Sequence, residues 1–573
     1  MRRLGFLITI LTLVVGVATA YDYPVKDVKG LHSASFAEMR PDHFHSGVDI
    51  KTDGRIGKPI VAAEDGYISR VSHSPFGYGL ALYVVHPQRG TMTLYGHLSR
   101  FTEEIESLVR NYRYAHRASS AELRFQPNEH PVKRGEVIGY SGNTGNSFGP
   151  HLHYELRNAE GTHTYNIVRR GVFRPKDSAK PRLLRLHYIE VDTLDGVAVE
   201  APMRSFNLSG RDGSYKIDGA ISVGRVGYFV LECRDNQSGN ATSRFGVYRA
   251  AMWVDGSPIF EYRMDGYAFA DTRLCNLVSH YAMQCGARCE VIRLARVAGA
   301  PERLYRRSVG RGAIRAAAGE QRKVKVAVED DCGNISQLTF EVEGKDDNRL
   351  FTPVRDCVAV VAGAGRSVVV ADRGVKAFVG DNAYYAPTFC RVQRTEHRPT
   401  IDGVVVLSDE CSVLDSTVPM QGRVTVALDA KVPLELMTKC VVAVKNRSGK
   451  YNSAGGYYAG GGKVYLRTRN VGDMVVVADT VAPAVRPNWK QGATLTNAKR
   501  LTFNVSDNFT GIDSYNLWID GEWKTLNYNP LQGVIYHTFD TPLAAGKRCN
   551  HTVRLQVVDG VGNITTFESE FYR

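Results

Sequence analysis

Two short motifs concentrate the residues able to do chemistry. His43-Phe44-His45-Ser46-Gly47-Val48-Asp49 contains His-x-x-x-Asp, and Gly149-Pro150-His151-Leu152-His153-Tyr154-Glu155 contains His-x-His. Residues two apart on a β-strand face the same side, so His151 and His153 would project into one pocket while Leu152 turns to the core. Two imidazoles and one carboxylate form the ligand set of a catalytic zinc site that keeps its fourth position open for water. A structural site more often uses four protein ligands, frequently cysteine, and the chain has no cysteine before Cys233. Either motif alone is weak evidence, because a His-x-His in a strand is more often a pair of satisfied polar residues. A helical His-Glu-x-x-His is missing, so proton transfer falls to histidines, whose ordinary pKa lies near 6.5.

Further signatures stand in order between the two motifs. They are Asp65-Gly66, Tyr95-Gly96-His97-Leu98, Val132-Lys133-Arg134-Gly135-Glu136-Val137-Ile138-Gly139 and Ser141-Gly142-Asn143-Thr144-Gly145. With them, the segment from about Phe36 to Arg157 resembles the lysostaphin/LytM-type zinc metallopeptidases, which cleave peptide bonds in peptidoglycan. The resemblance implies a Zn2+ cofactor held by His45, Asp49 and His153. It also implies that His97 and His151 are the two non-ligand histidines flanking the metal-bound water and the scissile carbonyl, with the base left open between them. His43 is read as a surface or supporting residue, and His73, His86, His116 and His130 as structural or solvated. Glu155 and Asp53 receive no role, and residues 143–147 are read as a wall of the substrate groove. One departure from the compact members of the family is the 34 residues between His97 and Val132.

The elements that must hold these residues read as short β-strands punctuated by glycine: 59–63, 66–71 and 80–85 each carry β-branched or aromatic residues between turn signals. The exception is 101–116, where Ile105, Leu108 and Val109 fit one helical face. Beyond about Pro175 an internal repeat appears. Asp235-Asn236, Trp253-Val254-Asp255-Gly256 and Asp331-Cys332-Gly333-Asn334 are echoed by Asp507-Asn508, Trp518-Ile519-Asp520-Gly521 and Asp559-Gly560-Val561-Gly562-Asn563. The first copy carries an insertion of 36 residues that holds Cys275, Cys285 and Cys289. The predicted fold class is mostly β: an N-terminal antiparallel β peptidase domain of the LytM type, then tandem antiparallel β-sandwich (immunoglobulin-like) domains. The expected division is a signal peptide at 1–20, a zinc peptidase domain at 21–175, a sandwich with insertion at 176–345, a β-rich segment at 346–478 and a last sandwich at 479–573. The ten cysteines, all at Cys233 or later, could form up to five disulfides in an oxidising compartment. The Asp/Asn-rich turns lack a complete loop of calcium ligands and a bidentate Glu at the right spacing, and are read as turns.

Met1-Arg2-Arg3, an apolar run of 14 residues from Leu4 to Val17 and Ala18-Thr19-Ala20 read as a signal peptide, the run being short of the roughly 20 residues that span a bilayer. Export to a periplasm or cell envelope, or secretion, follows. The net charge of +13 suits an acidic partner such as a carboxylate-rich wall, and no basic tract suggests nucleic acid. The expected activity is therefore zinc-dependent endopeptidase action on peptidoglycan stem peptides or cross-bridges. The alternatives are a non-catalytic wall-binding or amidase-activating factor of the same fold, or a peptidase acting on proteins. The downstream domains would position the peptidase, regulate access, or recruit envelope proteins.

Overall fold

The computed structural model describes residues 21–194, 196–345, 358–360, 365–539 and 549–573; the expected signal peptide lies outside them. Strands hold 50% of the residues and helices 8%, which makes the chain mostly β. Among the described residues no helix is long and apolar enough to cross a membrane.

The N-terminal region is built on β1 (His32–Ala34), β2 (Val48–Lys51), β3 (Pro59–Val61), β4 (Gly66–His73), β5 (Leu80–His86), β6 (Thr91–Phe101), β7 (Ala121–Arg124), β8 (Pro131–Val132), β9 (Val137–Ser141), β10 (His151–Asn158) and β11 (His163–Tyr165). The main path of the sheet runs β1-β2-β10-β6-β5-β4-β7, with β8 on β4, β9 joining β6 to β3, and β11 on β10. Its pairings are antiparallel. Strand β5, Leu-Ala-Leu-Tyr-Val-Val-His, is buried at every residue, as expected of a central strand covered on both faces. In β2 the period of two sends Val48 and Ile50 into the core and leaves Asp49 on the other side.

The one long helix among the described residues, α1 (Glu103–His116), occupies the long connection between β6 and β7. Glu103, Glu104 and Glu106 lie at its positive N-terminal end, Arg113 and His116 at its negative end, and Arg117 closes it in the left-handed conformation at φ 46°. Ile105 and Val109 face the sheet as the apolar pattern predicts. Arg113 continues the same face into a contact with the distant last sandwich: it donates to the Leu526 carbonyl and to Asn527 Oδ1.

Downstream, among the described residues, three pairs of sheets follow, with a two-stranded ribbon of 358–360 and 388–390 besides. Strands within 182–245 together with 290–293 make a six-stranded sheet that faces a seven-stranded one drawn from 209–344. Residues 368–478 supply a five- and a six-stranded sheet around one core, and 484–572 a four- and a five-stranded sheet around another. The first core is not confined to one region, because a single apolar cluster runs from Val25 through Val342. The repeat read from the sequence is visible in hydrogen bonds. Asp255 and Asp520 turn equivalent hairpins at φ 48° and 51°, and their Oδ1 atoms accept from Lys323 N and Thr552 N at 2.8 Å each. The sandwiches are not purely antiparallel as expected. Strand 214–223 pairs in parallel with 335–344, and 493–494 does so with 571–572. In each pair the two strands lie far apart in sequence, with other strands intervening, as parallel pairing requires.

The insertion of the first sandwich packs on the N-terminal region. Its strand Gly266–Ala268 extends the first sheet beyond β11, Thr272 accepts from Phe44 N at 3.0 Å, and Tyr267 donates to the Phe44 carbonyl at 2.9 Å. Cys233, Cys275, Cys285, Cys289 and Cys332 are thiols, not half-cystines. Cys233 and Cys275 are fully buried, filling core space as small hydrophobes.

Candidate active site

The sheet brings the two motifs together. Strand β10 lies between β2 and β6, with His153 opposite Asp49 on one side and Gly96 on the other. His45 sits in the loop before β2, four residues from Asp49, and His97 sits on β6. Three atoms converge: His45 Nε2 is 3.1 Å from Asp49 Oδ1 and 3.1 Å from His153 Nδ1, and His153 Nδ1 is 2.9 Å from Asp49 Oδ1. Ligands about 2.0–2.1 Å from a central ion in a tetrahedron are roughly 3.3 Å apart, so this triangle is close to zinc-sized.

The far side of each ring explains why lone pairs point inward. His45 Nδ1 donates to the Ser35 carbonyl at 2.8 Å, and His153 Nε2 faces the buried carboxylate of Glu155 at 2.8 Å. With those protons committed outward, His45 Nε2 and His153 Nδ1 present acceptors to each other and to Asp49, an arrangement that calls for a cation between them. The same logic holds for the other two histidines. His97 Nδ1 donates to the Thr144 carbonyl at 2.7 Å, and His151 Nδ1 to the Gly149 carbonyl at 2.8 Å. Each therefore keeps Nε2 as an acceptor. His151 Nε2 is 3.6 Å from Asp49 Oδ1, and the His97 and His151 rings are 4.7 Å apart.

Electrostatics sort the groups into two sets. Burial works against the charge on Asp49, but His45 and His153 outweigh it and hold the carboxyl well below its usual range. Burial likewise opposes the charged form of His153, yet Asp49 and Glu155 push it up to about 9. His97 goes the other way, lowered to about 3 by burial and then by His151 and His153; burial also lowers His151. His97 and His151 are thus neutral bases at pH 7, while the other set favours positive charge at its centre.

Two features support this geometry in the backbone. His97 has φ 60°, a left-handed conformation rare for a side chain of this kind, where β6 breaks register with both β5 and β9. Gly142 makes room for that kink, since a Cβ there would lie 2.3 Å from Ser99 N. Gly47 lies between the two residues of the first motif, and a Cβ on it would meet the Tyr154 carbonyl at 2.3 Å. The site opens on a groove of about 750 Å3, whose walls include His43, Tyr78, Asn146, Ser147 and Phe148. Phe148 is 94% exposed at the rim. His43 is exposed and bonded to Asp42 at 2.7 Å, outside the converging triangle.

Sequence reasoning gave Glu155 no role. It is fully buried and accepts from Arg157 Nε at 2.6 Å, Ser46 Oγ at 2.7 Å and Tyr78 Oη at 2.7 Å, besides facing His153. The available signal was its place two residues after His153, on the same strand face, followed by Arg157 at the same spacing. Asp53 pairs with Lys58 at 3.9 Å, away from the centre. His73 bonds Asn527 at 3.0 Å, His86 bonds Thr93 at 2.8 Å, His116 is exposed, and His130 pairs with Glu104 at 2.9 Å.

Comparison with known proteins matches the segment that carries these residues. The profile of peptidase family M23 matches 43–111 and 109–165. A DD-carboxypeptidase/endopeptidase Mpg of Neisseria meningitidis serogroup B is 36% identical over 114 residues, 20% of this chain and 20% of that protein. The peptidoglycan DD-endopeptidase ShyA of Vibrio cholerae is 34% identical over 113 residues, again 20% of each. The chain therefore spans about a fifth of the length of these curated relatives. Among solved structures, a zinc-containing peptidase from Vibrio cholerae aligns at 27% identity over 25% of this chain and 37% of that one, with a TM-score of 0.19.

Proposed function

Residues 43–165 belong to peptidase family M23, and from that premise we propose that the chain is an exported zinc-dependent endopeptidase acting on peptide bonds of peptidoglycan. The observation that carries the reading is the convergence of three electron-pair donors, His45 Nε2, His153 Nδ1 and Asp49 Oδ1, at the floor of an open groove. In this reading those residues hold the metal. Zinc there would polarise the substrate carbonyl and bring the pKa of a water to about 7.

The chain's own groups do the rest. His97 and His151, neutral at pH 7 and each with Nε2 as acceptor, flank the centre and serve as proton acceptor and as donor to the leaving amine. Glu155 fixes the ring of His153, and the Ser35 carbonyl fixes that of His45. An extended peptide would lie in the groove between the 146–149 loop and the 40–46 segment. The residues of this constellation are all present, which favours an enzyme over a wall-binding factor of the same fold. The domain division at about 175, 345 and 478 and the immunoglobulin-like character of the sandwiches belong to the same proposal, as does removal of residues 1–20 on export.

The test is release of soluble fragments from dye-labelled peptidoglycan. Wild-type protein should release dye, chelator-treated protein should not, and zinc should restore it. Asp49→Ala should stay inactive with zinc present. Release by Asp49→Ala at the wild-type rate would defeat the proposal.

A further inference from the structure

Two clusters of three aspartates occur at matching places in the two copies of the repeat. Asp177, Asp235 and Asp330 each offer a carboxylate oxygen, and these lie within 4.8 Å of one another; Asp479, Asp507 and Asp559 do the same. The correspondence is residue by residue. Asp177 opens Asp177-Ser178-Ala179-Lys180-Pro181, and Asp479 opens Asp479-Thr480-Val481-Ala482-Pro483. Asp330 accepts Asn334 N at 2.8 Å and Asn334 Nδ2 at 2.7 Å, and Asp559 accepts the same two groups of Asn563 at 2.7 Å each. Ser336 Oγ and Thr565 Oγ1 then donate to the carbonyls of Pro181 and Pro483, both at 2.5 Å. A device rebuilt this closely in two copies is not an accident of turn formation.

The decisive observation is a buried acceptor with nothing to accept. Asp235 is 3% exposed, and its Oδ1 has no hydrogen-bond partner; Oδ1 of Asp507, its counterpart, is likewise buried and unpartnered. An isolated buried carboxylate is strongly unfavourable unless a cation or donors compensate it. Burial, and then the neighbouring Asp330, push Asp235 up to about 9. The first triad also borders a cavity of about 20 Å3, room for one ion or one water. A water would satisfy one oxygen but would leave three carboxylates facing one another.

We propose that each triad binds one divalent cation of the calcium type. The donors are oxygens alone, which suits a hard cation, and no nitrogen or sulfur ligand that would favour zinc belongs to either triad. The ligands come from three separate segments, 58 and 95 residues apart in the first copy, so no contiguous calcium loop appears in the sequence. Both sites sit at junctions. His32 and Ser35 of the peptidase region line the first cavity beside Asp177. Asp479 directly follows the strand Gly472–Ala478 of the middle sandwich and accepts from Thr510 Oγ1 of the last at 2.7 Å. Bound cations would therefore fix how the sandwiches are set against what precedes them.

The experiment is equilibrium dialysis of the zinc-loaded full chain against calcium chloride, with melting followed in parallel. Two calcium ions per chain are expected for wild type and for Asp49→Ala, and one for Asp235→Asn or Asp559→Asn. Asp235→Asn is nearly isosteric and removes a buried carboxyl that only a cation would keep ionised. It should melt higher than wild type in chelator and gain less on adding calcium. No bound calcium in wild type at about 10 mM, well above the range of weak extracellular modules, would overturn the proposal. So would an Asp235→Asn variant that binds as much calcium as wild type. One ion, lost in Asp235→Asn, would keep the first site and overturn the second.

Discussion

At the scale of single residues, the account turns on where protons sit. Glu155 holds the outer nitrogen of His153, so weakening that contact should weaken the metal site without touching a ligand. Partners of this kind typically contribute 10–100-fold in metal affinity. Glu155→Gln should therefore raise the zinc Kd by about that factor, read by competition with a chromophoric chelator; an unchanged Kd would remove Glu155 from the site. His97→Ala and His151→Ala should do the reverse, keeping zinc while lowering kcat about 10²–10⁴-fold, the range for loss of a positioned acid or base. The convergence of His45, Asp49 and His153 was legible in the sequence because His-x-x-x-Asp and His-x-His carry their own spacing. Glu155 and Arg157 were not, because a buried ion pair looks like any two charges on an alternating strand until its neighbours are known.

At the scale of elements, α1 shows what periodicity can and cannot say. Ile105 and Val109 mark its buried face, and the structure uses that face. Nothing in the spacing announced that Arg113 would extend it into the last sandwich, more than 400 residues away in sequence. The contact also makes a pH prediction. His73, beside Arg113 and bonded to Asn527, is pushed down to about 3 by burial and then by the Arg113 charge. A free imidazole titrates near 6.5, so the docked state binds fewer protons across that window and its stability rises with pH. The contact should be at full strength above about 6.5 and be lost as pH falls toward 3. Amide exchange around Leu526–Tyr528 should accelerate at pH 4.5 relative to intrinsic rates, and His73→Gln should remove the pH response. Equal protection at both pH values in wild type would contradict this reading.

At the scale of the whole molecule, the sequence announced a β peptidase region followed by β-sandwiches, and the repeat was legible because Asp-Gly turns need particular residues. Two things were hidden. The parallel pairings join strands far apart in sequence and leave no local mark, and the aspartate triads assemble from distant segments. The architecture also returns on itself. The insertion at 266–293 braces Phe44 beside His45, and the last sandwich docks on α1 at the other side of the same region. The groove itself remains open, so the intact chain is expected to be active without processing of its downstream domains.

The most direct test is mass spectrometry of fragments released from purified peptidoglycan by the mature chain and by its Asp49→Ala variant. The account predicts that cross-linked species disappear, with new amine and carboxyl ends at a peptide bond, only when Asp49 is present. Unchanged cross-linking with a zinc-loaded wild-type chain would contradict peptidoglycan as its substrate.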